Sequence, residues 1–195
     1  MRRACLLPLV LAFCAAGAGA TAYINEGFEG TFPPGGWGVE KTVNAGWDPQ
    51  SGGPWCNYAI GWASSTDGIV RWARIDTPAF DVPAGTTVEF RYDYGLGCNG
   101  YPAEHYARFS LYYVGPPAET LVQRDMLLAA DWRAYSDYIV VTRAGRVAAR
   151  FEIYVKNPSF HTSVYSWDLD NILINDKRYH AVEPTSLGRV RAIYR

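Results

Sequence analysis

The sequence is poor in the residues that carry most enzyme chemistry. Only three histidines occur, His105, His161 and His180. There is no G-x-S-x-G, no H-E-x-x-H and no phosphate-cradling loop, which removes the commonest hydrolase, zinc-protease and nucleotide-binding signatures. Charged residues make up 19% of the chain, with no block of one sign. That argues against a disordered polyelectrolyte and against a basic stripe for nucleic acid. The one long apolar run, Ala4 to Ala16, is too short to cross a bilayer. No second run reaches spanning length, so no transmembrane segment is expected in the mature chain.

That apolar run has a different use. Arg2 and Arg3 precede it, and small residues follow at Ala18-Gly19-Ala20 and Ala20-Thr21-Ala22. Basic start, apolar middle and A-x-A end are the pattern of a secretory signal peptide. Residues 1–22 are therefore read as a leader cleaved after Ala20 or Ala22, on a bacterial-type chain that is secreted or held at the cell surface. Loss of Arg2 and Arg3 leaves 16 basic against 19 acidic side chains, a formal charge of about −3. Cys5 and Cys14 leave with the leader. Cys56 and Cys98 remain in an oxidising compartment, and a disulfide between them is expected. A loop of about forty residues closed in this way is worth roughly 4 kcal/mol in the chain-entropy picture.

What the chain has in quantity is aromatic residues, 15% of the total, with seven tryptophans and fourteen tyrosines. They fall in short alternating segments. Thr87 to Tyr94 places Val88, Phe90, Tyr92 and Tyr94 on one side and Thr87, Glu89, Arg91 and Asp93 on the other. That is the period of a strand with one face in a core. Similar segments run at Tyr23–Glu29, Trp37–Val43, Tyr58–Ala63, Ile69–Ile75, Arg108–Val114, Ser136–Val141, Val147–Lys156 and Trp167–Asn175. Thr77–Val82 reads as an edge segment because Pro78 removes a ladder donor. Ala45–Asn57 and Gly95–Glu104 read as loops. Thr120–Ala134 alone has weak helical spacing. Nine or ten strands without crossover helices predict an all-β fold, an antiparallel sandwich over residues 23–180. Residues 181–195 form a separate tail. Its Leu187, Val190 and Ile193 recur at helical spacing between arginines, as in a docking segment, although a frayed end or an added edge strand fits as well.

Several stretches together resemble the cleaved-adhesin and choice-of-anchor J domains. Phe28-Glu29-Gly30-Thr31-Phe32-Pro33-Pro34-Gly35-Gly36-Trp37 resembles their opening motif. Trp72 to Val82, with Thr77-Pro78-Ala79-Phe80-Asp81 inside it, is similar to their second. Leu169-Asp170-Asn171-Ile172 is similar to their closing strand. The resemblance covers roughly residues 24–176. It implies a jelly-roll β-sandwich, related in shape to MAM and carbohydrate-binding modules, in a secreted or surface protein concerned with adhesion. It also implies a structural calcium ion, with Glu29 and Asp170 at matching acidic positions. Trp37, Trp72 and Trp132 match family positions occupied by packing residues.

Three candidate sites follow. For calcium, which takes six to eight oxygen ligands, Glu29 and Asp170 are the first choice, with Asp168 and Asp48 as further ligands. Surface carboxylates, or turn amides satisfied by Asp170, explain the same residues without a metal. For a ligand, Trp55, Tyr58, Tyr101 and His105 flank the two cysteines, and a disulfide would gather them into one aromatic edge suited to stacking sugar rings. Local packing of these rings is the alternative. For catalysis, Asp168 and Asp170 lie on one face of a strand at i, i+2, as a glycan-active hydrolase or lyase would need. The expected function is a non-catalytic module that binds carbohydrate or a surface protein. A structural interaction protein of the envelope and a glycan-active enzyme are the alternatives.

Overall fold

A computed structural model describes residues 21–53, 56–99, 104–116, 118–126, 129–157 and 163–177. These residues form twelve strands and no helix: β1 (Ala22–Glu26), β2 (Gly38–Lys41), β3 (Ala45–Gly53), β4 (Cys56–Ser65), β5 (Arg71–Asp76), β6 (Phe80–Val82), β7 (Thr87–Asn99), β8 (Glu104–Tyr113), β9 (Glu119–Asp125), β10 (Ala129–Val140), β11 (Gly145–Lys156) and β12 (Ser163–Asp176). They build two antiparallel sheets. The first runs β10-β7-β12-β4-β3, with β1 also on β12; the second runs β2-β5-β11-β8-β9, with β6 also on β11. The expected all-β jelly-roll sandwich is the fold found.

The two long strands β12 and β11 organise the sheets. β12 pairs with β4 through Ser163–Leu169 and with β1 through Ile172–Asn175. One edge of β12 thus holds β1, the first described strand, beside the last. β11 is served in the same way by β6 and then β5. Strict alternation makes this arrangement pay in burial. Val88, Phe90, Tyr92, Tyr94 and Leu96 of β7 point inward, and so do Ala149, Phe151, Ile153 and Val155 of β11. Phe90 stacks on Phe109 at 4.5 Å between ring centres, and Phe151 meets Trp167 edge-on at 5.6 Å. Each such ring contributes roughly 1.5–3 kcal/mol on burial. Trp47 packs on Trp167 and lies flat over Gly61, where a Cβ would come within 2.7 Å of the indole. Glycine there is a requirement of close approach.

Three local expectations are corrected. Residues 95–99 are not a loop but continue β7. Ala45–Asn57 is not a loop: it supplies β3 and the start of β4, with Ala45 and Trp47 buried. β3 is an edge strand, so Pro49 sits in it without breaking a ladder on both sides. The described part of Thr120–Ala134 is not helical: residues 120–125 lie in β9 and 129–134 in β10. Val122 and Met126, four apart, are both buried. Val122 packs from the strand and Met126 from just past its end, which imitates a helical period.

The cysteine expectation also fails on register. Cys98 stands opposite Tyr165, near the start of β12. Cys56 lies before Ala59, whose partner is Leu169, so it faces the far half of β12. The offset is roughly seven residues, about 23 Å at the rise of a strand, with two strand spacings besides. A disulfide needs Cα atoms within about 7 Å, so this register does not bring Cys56 and Cys98 together. The side chain of Cys56, residues 1–20 of the leader and the tail lie outside the described residues.

Candidate functional site

The first feature is an acidic corner where β1 leaves the sheet. The register of β12 shifts between Asp170 and Leu173, with Asn171 in the left-handed region at φ 50°. Phe28, at φ 54°, turns beside it and buries its ring against Phe32 and Trp37. Asp170 is only 3% exposed. Its Oδ1 accepts the Asn171 backbone N–H at 2.7 Å, while the Asn171 amide donates to Asp93 at 2.9 Å. Burial first, and then the negative charges of Asp93, Glu29 and Glu26, push the Asp170 carboxyl up to about 7. Glu29 accepts from the Asn57 amide at 2.9 Å, and Glu26 from the Phe28 N–H at 2.6 Å.

The corner therefore brings Glu29 and Asp170 into one electrostatic neighbourhood. It does not include Asp168 or Asp48, which lie elsewhere on the sheet. Glu26 and Asp93 stand in their place. The donors are hard oxygens of the kind calcium takes. Among the described residues, however, no three acidic, histidine or cysteine side chains are close enough to share a metal ion.

The second feature is the outer face of the first sheet. Asp48, Ile60, Asp168 and Gly95 follow one another in register across β3, β4, β12 and β7. On β4 the inward residues are the small Ala59, Gly61 and Ala63, and the large Tyr58 and Trp62 point outward. β12 and β7 separate β4 from β10, a gap of roughly three strand spacings or 14 Å. Nevertheless the rings of Tyr58 on β4 and Trp132 on β10 meet, perpendicular, at 5.4 Å. The pair arches over the row that holds Asp168.

Beneath the arch, β7 offers glycines instead of side chains. A Cβ on Gly95 would touch Asp168 Oδ2 at 3.4 Å, and one on Gly97 would clash with Ser166 Oγ at 2.7 Å. The Asp168 Oδ1 atom is buried and receives no hydrogen bond among the described residues. Burial pushes the Asp168 carboxyl up. Burial and the Asp168 charge together push the Tyr58 hydroxyl up. Further along, Trp62 donates its indole N–H to Asp48 at 2.6 Å and lies over Gly46. Three half-buried rings, two carboxylates and a hydroxyl thus share one face. By contrast, the hollow of about 480 Å3 between Pro83–Thr87 and Asp176–Lys177 is lined by no aromatic ring.

Of the two described residues expected to bind a ligand, Tyr58 stands on this face and His105 does not. His105 sits at the end of β8 in the other sheet, its ring edge-on to Tyr165 at 4.8 Å. Tyr58 points outward from the first sheet, whereas His105 is exposed at the end of β8 with its ring against Tyr165, so the two do not converge. Trp55 and Tyr101 lie outside the described residues. Sequence reasoning missed Trp62, and it assigned Trp132 to packing. The inverted alternation of β4, small inside and aromatic outside, is the signal that marks Trp62.

No protein-family model matches the chain, and no curated protein does so either. Solved structures do resemble it. A Stig cyclase from Fischerella sp. TAU superposes with a TM-score of 0.52 at 13% identity, over 80% of this chain and 98% of that one. The CBM22-1 xylan-binding domain of Xyn10C from Paenibacillus barcinonensis gives 0.51 at 11%, over 82% and 96%. The K1 cleaved-adhesin domain of Lys-gingipain from Porphyromonas gingivalis W83, of the type that the opening and closing motifs resemble, gives 0.46 at 18%, over 79% and 97%. At such identities the likeness is one of fold. The fold serves a binding module and a cyclase alike, so the site must decide between them.

Proposed function

We propose that this chain is a non-catalytic carbohydrate-binding module of an exported protein, with its ligand on the outer face of the first sheet. The observation that carries the reading is the perpendicular Tyr58–Trp132 pair arching over Asp168. Flat rings stack on the apolar faces of sugars, and a carboxylate with an unfilled acceptor takes their hydroxyls. Gly95 and Gly97 leave room on the strand below. The fold it shares with a xylan-binding domain is compatible with this use. The leader pattern of residues 1–22 supports export, and no described helix is long and apolar enough to cross a membrane.

A calcium ion at the acidic corner belongs to the same proposal. Glu29 and Asp170 would hold it, with oxygens other than a third carboxylate completing its shell. Its role would be to offset the crowding of charge around Asp170 and fix the start of the chain to β12. Catalysis by Asp168 and Asp170 is the rival reading. It draws on the raised affinity of both carboxyls for a proton, and on a cyclase of the same fold. The backbone N–H and amide of Asn171 already engage Asp170, which favours a positioning role. A glycan array probed with the purified domain tests the proposal. Binding should be lost in Tyr58→Ala and Trp132→Ala variants that melt like the parent. Binding that survives both changes would refute the assignment of this face, and glycan turnover abolished by Asp168→Asn would favour the enzyme.

A further inference from the structure

We infer that the ligand taken under the Tyr58–Trp132 arch is a glycan carrying free amines, an amino sugar rather than a neutral or uronic one. This rests on the carbohydrate reading above and narrows it. The argument starts from the charges on the face. The register sets Asp48, Asp168, Asp170 and Asp93 on the outward side of neighbouring strands. Among the described residues of β7, the base on that side is Arg91, exposed and two residues from Asp93. An anionic sugar would meet like charge here, at the several-kcal/mol cost that like-charge contacts carry.

Three of the four carboxylates are already supplied with donors. Asp48 has the Trp62 indole, and Asp170 and Asp93 share Asn171. Asp168 is different: its Oδ1 is buried and without a donor among the described residues. Leaving a buried acceptor unfilled is costly, and for an ionised one more so. A hydroxyl would fill it, but an ammonium fills it with a charge-assisted bond of about twice the strength. The rings add a second preference. Tyr58 and Trp132 stand at 90°, two walls of a corner whose π faces attract a cation. A carboxylate beneath two perpendicular rings suits an amine placed next to an apolar sugar face.

Calorimetric titration of the purified domain with hexasaccharides tests this. The probes are a glucosamine hexamer at a pH where its amines are protonated, the N-acetylglucosamine hexamer, cellohexaose and a hexagalacturonate, with choline as a sugar-free cation. The glucosamine hexamer should bind roughly tenfold or more tighter than the two neutral ones, and the uronate should not bind. Asp168→Asn should abolish the preference, so that the glucosamine hexamer and the neutral hexamers bind alike. On the unaltered protein, added salt should weaken the glucosamine hexamer selectively, a readout that needs no variant. Equal affinity for amine and neutral hexamers would overturn the amine assignment while leaving the carbohydrate reading intact. Choline binding as tightly as the glucosamine hexamer would overturn the glycan assignment. A domain that binds none of these oligosaccharides would overturn both.

Discussion

The two outward faces of this sandwich are built from the same residue types and reach opposite ends. On the second sheet, Glu40, Arg74, Glu152, Arg108 and Asp125 stand side by side in register across five strands, alternating in charge. Arg74 pairs with Glu40, and Arg108 with Asp125 at 2.5 Å. The Tyr106 hydroxyl donates to Glu152, and its ring lies parallel to Tyr154 at 4.8 Å. Arg150 holds Asp76 with two bonds. Each charge in that row has an opposite neighbour, and the stacked tyrosines show their faces to each other. On the first sheet, the rings of Tyr58 and Trp132 meet edge to face and a buried carboxylate oxygen goes without a donor. The second surface pairs its charges with one another, and the atom it leaves buried and unpartnered among the described residues is a donor, Arg74 Nε. The first leaves a carboxylate acceptor open beside two rings, and that is where binding energy for a donor remains available.

The largest effect that sharpens this contrast is at the acidic corner. Asp170 takes up its proton near pH 7, against an ordinary value near 4. A carboxyl raised on folding stabilises the domain fully below about pH 4, and that stability is lost as pH rises toward about 7. At most about 4 kcal/mol is at stake. In chelator, urea melts of the parent should therefore weaken between about pH 4 and 7, and Asp170→Asn should flatten the slope. A parent stability that does not change over that range would remove the account of the corner. Calcium adds the next effect: if it binds only the native state, millimolar calcium should raise the melting temperature of the parent at neutral pH. An unchanged melt with calcium or chelator would dismiss the ion.

The second sheet should respond less. Arg150→Ala breaks a half-buried, two-bond pair with Asp76 and should cost about 1 kcal/mol in denaturant melts. A loss above about 3 kcal/mol would mean the face carries more of the fold than its exposure implies. Arg108→Ala, on a more open pair, should cost a few tenths to about 1 kcal/mol. Neither change should alter ligand binding.

The architecture was largely legible because the long strands alternate. The series Val88, Phe90, Tyr92, Tyr94 and the series Val147, Ala149, Phe151, Ile153, Val155 each announce a buried side, and those two strands anchor the sheets. β3 was hidden because Gly46, Pro49 and Ser51 interrupt its pattern, and only Ala45 and Trp47 report its inward side. β10 was partly hidden because Trp132 and Tyr135 point to opposite faces, so aromatic character does not alternate with polarity. At the site, Glu29 and Asp170 could be paired from the ends of the chain because β1 and β12 share an edge. Which rings meet depends on strand order: Tyr58 and Trp132 are far apart in sequence and in different hairpins, and only the order β10-β7-β12-β4 brings their side chains over Asp168. The same order separates Cys56 from Cys98, which sequence spacing alone had joined.

The most direct test sets one ring from each face against the other. Affinity of the purified domain for a soluble polysaccharide that it retains on a gel should be measured for the parent, Trp132→Ala and Tyr154→Ala. A ring at the centre of a binding face is worth about 2 kcal/mol or more, so Trp132→Ala should weaken binding by roughly thirtyfold or more, while Tyr154→Ala leaves it unchanged. Loss of binding in Tyr154→Ala with retention in Trp132→Ala would place the ligand on the second sheet and contradict the account.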